Sequence, residues 1–232
     1  MLVNNINIKN FKAKLMSRNI SSAEVDIFNY WGTNNLNPIF YKKGKNKFKV
    51  LNITLDIICS DANELETMKG NLIKQFENAT IKFDDIEYFY RGFIVKEPNY
   101  KYIMKGNETV DIQMFVIVEK TQVTEMINRI TSKTINVSGN LETPVILEVT
   151  PSIDLIDLTI NGLDEEAIIL KNLKANKKLI VNGEEGTVTV DGINKYGDTD
   201  MWGFPRLKPG ANTITVSKNN VDITIKYKPR YI

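Results

Sequence analysis

The sequence predicts a mainly β fold with one α-helix. Short segments in which apolar and polar residues alternate recur along the chain, and turn residues separate them, as in β-sandwiches and β-barrels. Apolar residues at helical spacing form one well-defined stripe, between residues 62 and 78. The 232 residues are 42% hydrophobic, so they can build one large all-β domain or two smaller ones with real cores.

The N-terminal region is predicted to contain a strand and a long hairpin. Residues 1–14 alternate as an extended segment does. In "NNLNPIFYKKGKNKFKV" a glycine lies among lysines with apolar residues on both sides, which predicts a hairpin with a basic tip. The lysines of this tip are Lys42, Lys43, Lys45 and Lys47. They either form a solvated turn or belong to an arm that contacts a neighbouring subunit or an acidic partner.

A strand, the helix and two hairpins follow. "KFKVLNITLDIICS" is rich in β-branched apolar residues and predicts a strand. Ser60 or Asp61 is placed to cap the helix, because Glu64 follows Asp61 by three residues. We expect its apolar stripe to face the core; the stripe consists of Leu65, Met68, Leu72, Ile73 and Phe76. The next strands are expected to form hairpins about 84–85 and 105–107, and "TEMINRI" is expected to form a helical turn.

The domain boundary is predicted in the small, polar segment "TSKTINVSGNLETP". We therefore assign residues 1–132 to an N-terminal domain, 133–143 to a linker and 144–232 to a C-terminal β-sandwich. Strand signals recur every 8–12 residues or so after Pro144. The last two, "NTITVSK" and "VDITIKY", are expected to form a closing hairpin about Asn219 and Asn220.

The composition argues against most catalytic chemistry. The chain has no histidine, which is the commonest general base and metal ligand, and one cysteine, so zinc sites and disulfides are not expected. Cys59 lies in an apolar run and is expected to pack as a small core residue. The net charge of +2 gives no overall attraction to nucleic acid or to a membrane surface, and no signal peptide or membrane span is expected.

Two local patterns resemble binding or catalytic sites. "DGINKYGDTD" supplies oxygen ligands of the kind that calcium prefers, but its spacing differs from an EF-hand, and the alternative is a turn-rich connection. Adjacent acidic residues at 84–85, 164–166 and 184–185 lie in predicted turns, where solvated carboxylates are common. We therefore predict that the protein is not an enzyme and needs no cofactor.

The C-terminal sequence resembles the phage distal tail protein family. The elements that carry this resemblance are, in order, Thr143–Pro144, Val190–Gly192, Phe204–Leu207, Pro209–Asn212 and the ending Pro229–Arg230. The central pattern follows the family's "F-P-x-L-x-P-G-x-N" before the final strands. The N-terminal half is similar to the family in outline, because a strand, a helix and a hairpin follow one another.

This resemblance implies a fold and a role. It implies an N-terminal belt domain, a split β-barrel or sandwich with one helix and a hairpin arm, followed by a galectin-like C-terminal β-sandwich. It also implies a homohexameric ring at the distal end of the virion's tail, made in the bacterial host cytoplasm. The ring would be a baseplate adaptor that joins the major tail tube protein to the tail-associated lysin or fibre hub, with receptor-binding proteins as further partners.

The resemblance also gives the tip lysines a role and leaves one alternative open. Lys42, Lys43, Lys45 and Lys47 are then expected at the interface between subunits. The alternative function is a carbohydrate-binding receptor module of a phage or prophage tail, in which Trp202 would stack on a sugar. We expect Trp202 to be a buried aromatic of the sandwich instead.

Overall fold

The computed structural model describes residues 1–23, 28–30, 33, 36, 39–41 and 48–232. It divides into two compact units, of which the first is residues 1–119 with Ile232 and the second is Lys120–Tyr231. Antiparallel strands dominate both units, as the sequence predicts. The described residues contain one α-helix and two 3-10 helices.

In the described residues, the first unit contains ten strands and the α-helix. The strands are β1 (Leu2–Val3), β2 (Ile6–Asn7), β3 (Ala13–Ile20), β4 (Phe28–Tyr30), β5 (Ile39–Tyr41), β6 (Lys49–Ile58), β7 (Ala79–Lys82), β8 (Phe89–Ile94), β9 (Asn99–Met104) and β10 (Asn107–Glu119). The helix α1 is Ala62–Phe76, and a 3-10 helix occupies Ile8–Phe11.

One antiparallel sheet organises the first unit, in the order β2-β1-β7-β8-β10-β6-β3. The 13-residue strand β10 lies at its centre. One side of β10 pairs with β6, from Asn107 opposite Ile58 to Val116 opposite Lys49. The other side pairs with β9 near its beginning and with β8 near its end. The predicted hairpins β7–β8 and β9–β10 are both present, and β4 pairs with β5 in a separate two-stranded ribbon.

The helix begins where the sequence predicts. The Asp61 side chain accepts hydrogen bonds from the backbone of Asn63 and Glu64, and the Glu64 side chain accepts one from the backbone of Ser60. This reciprocal pattern is a capping box, which satisfies the free N–H groups of the first turn. Three residues of the predicted stripe are buried, Leu65, Leu72 and Phe76, together with alternate residues of β6 and β10.

The second unit contains thirteen strands. They are β11 (Val123–Asn128), β12 (Ser132–Val137), β13 (Thr143–Pro151), β14 (Leu155–Asn161), β15 (Ile168–Leu173), β16 (Leu179–Asn182), β17 (Thr187–Val190), β18 (Ile193–Asn194), β19 (Thr199–Asp200), β20 (Arg206–Leu207), β21 (Gly210–Val216), β22 (Val221–Tyr227) and β23 (Arg230–Tyr231). A 3-10 helix occupies Tyr196–Asp198.

Two sheets of the second unit enclose a common core, which makes it a β-sandwich. One sheet has the order β11-β22-β13-β16-β17-β18, with β20 on β13, and the other has the order β12-β21-β14-β15-β19. Buried residues from both sheets form a single cluster, for example Leu147 and Ile223 from the first and Leu158 and Ile214 from the second. Alternate residues of the long strands β13, β21 and β22 point inward, which is the pattern expected of sandwich strands.

The last two long strands do not form the predicted hairpin. β21 pairs with β12 and β14, whereas β22 pairs with β11 and β13 in the other sheet. The residues around Asn219 and Asn220 therefore carry the chain from one sheet to the other. Turn residues mark the reversal of the chain, but they do not determine which strand becomes the partner.

The two units divide earlier than the predicted domain boundary. The sequence places 1–132 in the N-terminal domain and 133–143 in a linker. In the structure "TEMINRI" lies in β11 and pairs with β22, so the expected helical turn is wrong, and β12 pairs with β21. Some polar residues of the expected linker lie on the solvent face of β12. Ile135 and Val137, on its other face, are buried.

Candidate functional site

The sheet of the first unit has one face that α1 does not cover. We call this the outer face; in β6 and β10 it carries the residues that alternate with the buried ones. Near the middle of this face Gln113 donates a hydrogen bond to Asn52 at 2.9 Å, and Thr54 donates one to Asp111 at 2.6 Å. A cavity of about 290 Å³ lies beside these pairs, bordered by Lys96, Glu97 and Asn99 among others.

Three phenylalanines form an exposed cluster at one end of the outer face. Phe115 of β10 lies opposite Phe93 of β8 in the sheet register, and Phe48 immediately precedes β6. Phe48 and Phe115 are stacked, with centroids 5.8 Å apart and ring planes 4° apart. Phe93 meets both rings edge-on, at 6.0 and 6.3 Å. We call Phe48, Phe93 and Phe115 the phenylalanine cluster.

The exposure of this cluster is unusual for a soluble surface. Phe48 is 45% exposed, Phe93 44% and Phe115 38%. Single exposed apolar residues are common, but adjacent large ones that form one patch typically mark an interaction site. The rings already contact one another in a stacked and edge-on geometry, so contacts within the protein fix their arrangement.

A second apolar patch lies at the other end of the same strands. Tyr102 is 68% exposed, Ile103 46%, Met104 59% and Ile58 56%. We call these four residues the hairpin tip, because three of them end β9 at the turn into β10. Ile58 and Met104 both lie opposite Asn107, one on each side of β10.

Lys69 of α1 anchors the strand that leads to the hairpin tip. Its ammonium group lies 2.8 Å from the carboxylate of Glu108 and 2.7 Å from that of Glu66. It also lies 4.4 Å from the ring centroid of Tyr100 on β9, which is cation–π distance. Burial alone lowers the pKa of Lys69, but the hydrogen bonds to Glu108 and Glu66 outweigh it, so that the pKa is raised.

Trp202 of the second unit is exposed, which corrects the expectation that it is buried. The side chain is 90% exposed. The loop that carries it is nevertheless well anchored, because Phe204 packs on the core and Arg206 forms an ion pair with the buried Asp164 at 2.8 Å. The polypeptide at Gly203 passes so close to Asp164 that a Cβ there would lie 2.5 Å from the carboxylate. Trp202 is therefore a large apolar side chain presented on an ordered loop.

The acidic residues of the predicted calcium-like loop do not converge. Asp191 pairs with Lys177 at 2.8 Å, and Asp200 pairs with Lys171 at 3.7 Å. Asp198 pairs with Lys195 at 3.3 Å and accepts a hydrogen bond from Asn172. Within the described part of the chain no group of three or more acidic or cysteine side chains is placed to bind a metal ion. The loop borders a cavity of about 400 Å³ instead, together with Leu173, Leu179 and Val190.

The acidic pair at 84–85 also has structural partners. Asp84 binds the N-terminal ammonium at 2.9 Å, and Asp85 binds Arg18 through two hydrogen bonds.

Cys59 is half-buried rather than a core residue, and burial raises the pKa of its thiol, which disfavours the reactive thiolate. Among the described residues, no helix is long and apolar enough to cross a membrane.

The four tip lysines lie outside the described residues. Lys42, Lys43, Lys45 and Lys47 fall in the range 42–47, so their assignment to a subunit interface stays a prediction.

Sequence reasoning missed the phenylalanine cluster and the hairpin tip. A signal was present, since "RGFIV" and "QMFVIV" place phenylalanine where the alternation predicts the solvent face, but only the register shows that these residues meet.

Comparison with known proteins finds a family match within the second unit. Residues 138–231 match the family described as siphovirus-type tail component, C-terminal domain. This match covers most of the second unit, which is Lys120–Tyr231. The resemblance to the distal tail protein family that the sequence indicates is thereby confirmed. No curated protein sequence matches the chain.

Solved structures extend the likeness to the whole chain. The fold is similar to that of SPP1 Dit, described as a paradigm of hub adsorption apparatus in Gram-positive infecting phages. The TM-score is 0.78 at 10% identity, over 100% of this chain and 98% of that one. It is also similar to chains in the phage p2 baseplate in its activated conformation with Ca and with Sr. For each, the TM-score is 0.56 at 12% identity, over 97% of this chain and 94% of that one. At these identities the structures show the fold, mainly β with one helix. The galectin-like character of the second unit stays a prediction.

Proposed function

We propose that this chain is a structural protein of the phage tail tip. In this proposal six copies form a ring through their first units, and the ring joins the tail tube to the tail-associated lysin or fibre hub as a baseplate adaptor. The protein then belongs to the virion, has no catalytic centre of its own and acts through surfaces. The domain roles follow the sequence prediction, with the first unit forming the ring and the second unit projecting from it.

The observation that carries this proposal is the similarity to SPP1 Dit over the full length of both chains. The tail-component family match supports it independently for residues 138–231. The surfaces agree with such a role, because the first unit exposes clustered aromatic residues, and the acidic candidates Asp84, Asp85 and Asp191 form ion pairs within the protein. Exposed apolar patches of this kind are typical of proteins that assemble.

The proposal is tested by the mass and symmetry of the purified protein. Size-exclusion chromatography with light scattering should give six chain masses, and negative-stain electron microscopy should show six-fold rings. A purified tail tube protein should bind the ring and not a monomeric variant. A chain that stays monomeric at all accessible concentrations, with and without the tail tube protein, would refute the ring.

A carbohydrate-binding role has one specific observation in its favour. Trp202 is 90% exposed on an anchored loop, and an exposed indole is a suitable surface for stacking on a sugar ring. The role would be recognition of a cell-wall polysaccharide by the second unit. Sedimentation of the protein with purified cell walls tests it; binding that Trp202→Ala abolishes supports this role, and binding that is absent or unaffected by the substitution argues against it.

A further inference from the structure

We propose that the cavity of about 400 Å³ in the second unit binds a hydroxylated ring that carries an acidic group, as a sugar phosphate or a uronic acid does. Both sheets of the sandwich line this cavity, one through Leu173 and the other through Leu179 and Val190. The inference goes beyond the proposed ring and does not depend on it. It also concerns a site other than Trp202, which is not among the described residues that border the cavity.

The first step of the argument is that the cavity has the size and the apolar base of a ligand site. Ligand pockets typically measure about 300–1,000 Å³ and combine an apolar surface with a few polar groups. Leu173 and Leu179 belong to the core of the sandwich, and Val190 packs against it. The C–H groups on the face of a sugar ring can therefore pack on the edge of the core.

The second step is that the polar groups around the cavity are held in place. The pairing of β15 with β14 is interrupted at Asn172, which has a left-handed φ of 55°. The side chain of Asn172 donates a hydrogen bond of 2.8 Å to Asp198 in the 3-10 helix. Asp191, which follows β17 and has a φ of 50°, accepts a hydrogen bond of 2.8 Å from Lys177. These contacts fix the cavity before a ligand arrives, which lowers the entropy cost of binding.

The third step concerns charge, because more ammonium groups than carboxylates border the cavity. The ammonium groups, which we call the lysine rim, belong to Lys171, Lys174, Lys177 and Lys195. The carboxylates belong to Asp191 and Asp198. Asp200 and Asp154, which pair with two of the rim lysines, do not border the cavity. The lining is therefore net positive and favours an anion.

The ion pairs of the lysine rim leave its ammonium groups available to a ligand. Lys177 and Asp191, for example, are 57% and 60% exposed, and exposed ion pairs contribute little to stability. Among the described residues each rim lysine contacts a single carboxylate. Since an ammonium group has three donors, it can also donate to a phosphate or a carboxylate without losing that partner.

The acceptors in the lining indicate that the ligand carries hydroxyl groups as well. Asp191 and Asp198 offer carboxylate oxygens, and Asn172 offers the oxygen of its side-chain amide. A bare inorganic anion would face these oxygens with its own negative charge, which is unfavourable. Ring hydroxyl groups can instead donate to them while the acidic group of the same molecule meets the lysine rim.

The test is isothermal titration calorimetry of the full chain with acidic and neutral probes. The acidic sugars are glucose-6-phosphate and glucuronic acid, which distinguish a phosphate from a carboxylate, and the comparison probes are glucose and inorganic phosphate. We expect at least one acidic sugar to bind about tenfold or more tightly than either comparison probe. Its affinity should fall as salt is added. If neither acidic sugar binds more tightly than glucose, or if inorganic phosphate binds as tightly as both, the inference is wrong.

A charge variant locates the binding at the lysine rim. Lys174→Gln/Lys177→Gln should weaken binding of the acidic sugar at least about tenfold. The matched control is Lys208→Gln/Lys218→Gln, which removes the same charge from the same unit and also breaks an exposed ion pair, that of Lys218 with Asp157. Equal weakening by the two variants would attribute binding to overall charge and would contradict the cavity as the site.

A second variant tests the cavity without changing its charge. Val190→Phe places a larger side chain in the cavity and should abolish binding of the acidic sugar, while Trp202→Ala should leave the affinity unchanged. Circular dichroism checks that each variant is folded; if Val190→Phe is not, the lysine variant decides, because it changes exposed side chains alone. Binding that survives in folded Val190→Phe, or that Trp202→Ala abolishes, overturns the inference. Neither result bears on the ring, which is measured by mass and symmetry.

Discussion

Gly92 and Phe115 lie in such close contact that no side chain fits between them. A Cβ built on Gly92 would overlap the backbone carbonyl of Phe115 and lie 2.9 Å from the Cα of Val116. Gly92 sits between Arg91 and Phe93 on β8, opposite Val116 in the register. The absence of a side chain at this one position lets β8 approach β10, and this approach brings Phe93 onto Phe115.

Gly92→Ala is expected to destabilise the first unit by about 1–3 kcal/mol, because the backbone of β10 has to move to accept the methyl group. Chemical denaturation measures the free energy of unfolding. Gly70→Ala is the matched control, since a Cβ at Gly70 meets nothing within 4 Å and alanine favours the helix by about 0.5–1 kcal/mol. If both substitutions change the free energy of unfolding equally, the close approach of β8 and β10 does not limit which side chain fits at position 92.

The stability of the second unit is expected to depend on pH through Glu148. Burial alone raises the pKa of Glu148, but hydrogen bonds from Lys226 and Lys178 lower it below its usual value. A carboxyl whose pKa is lower in the folded state stabilises the fold above its unfolded pKa. This contribution is lost as the pH falls through the folded value.

Glu148→Gln should therefore reduce the free energy of unfolding at pH 7 by about 1–3 kcal/mol, since two ammonium groups lose their partner. The loss of stability between about pH 5 and 3 should be smaller in this variant than in wild type. Urea titrations across this pH range measure both effects. Glu185→Gln, at an exposed turn, should change neither the free energy of unfolding at pH 7 nor its loss between about pH 5 and 3.

The tip lysines give a prediction that depends on the sequence alone. Lys43→Glu/Lys45→Glu should weaken ring formation if the basic hairpin meets acidic residues of the next subunit. Light scattering at low and at physiological salt measures this effect, and Lys9→Glu/Lys208→Glu is a control at two exposed lysines. If Lys43→Glu/Lys45→Glu assembles fully at physiological salt, the lysines at 42–47 do not have this role.

The sequence predicts local structure well where one local rule decides it. The capping box at Asp61 and Glu64 and the turn at 105–106 depend on neighbouring residues, and both are present as expected. The partner of β22 depends instead on residues far along the chain. Asn219 and Asn220 reverse the chain, but β22 pairs with β11 and β13 because its buried face completes the other sheet.

The candidate surfaces were harder to predict than the elements that carry them. Phe48, Phe93 and Phe115 are distant in sequence, and only the pairing of β10 with both β8 and β6 makes them neighbours. The sequence predicts Trp202 inside the sandwich, because a tryptophan usually buries most of its large apolar surface. The structure anchors its loop through Phe204 and Arg206 instead, which leaves the indole in solvent.

The exposure of Trp202 leads to a prediction that separates a role in binding from a role in folding. Trp202→Ala should change the free energy of unfolding by no more than about 0.5 kcal/mol, because the side chain loses few contacts. Leu170→Ala, at a fully buried position, should cost about 2–5 kcal/mol. Thermal and urea unfolding of the two variants measure the contrast. A large destabilisation by Trp202→Ala would mean that the indole packs against the protein, and the loop would then not be a surface presented to a sugar or to another partner.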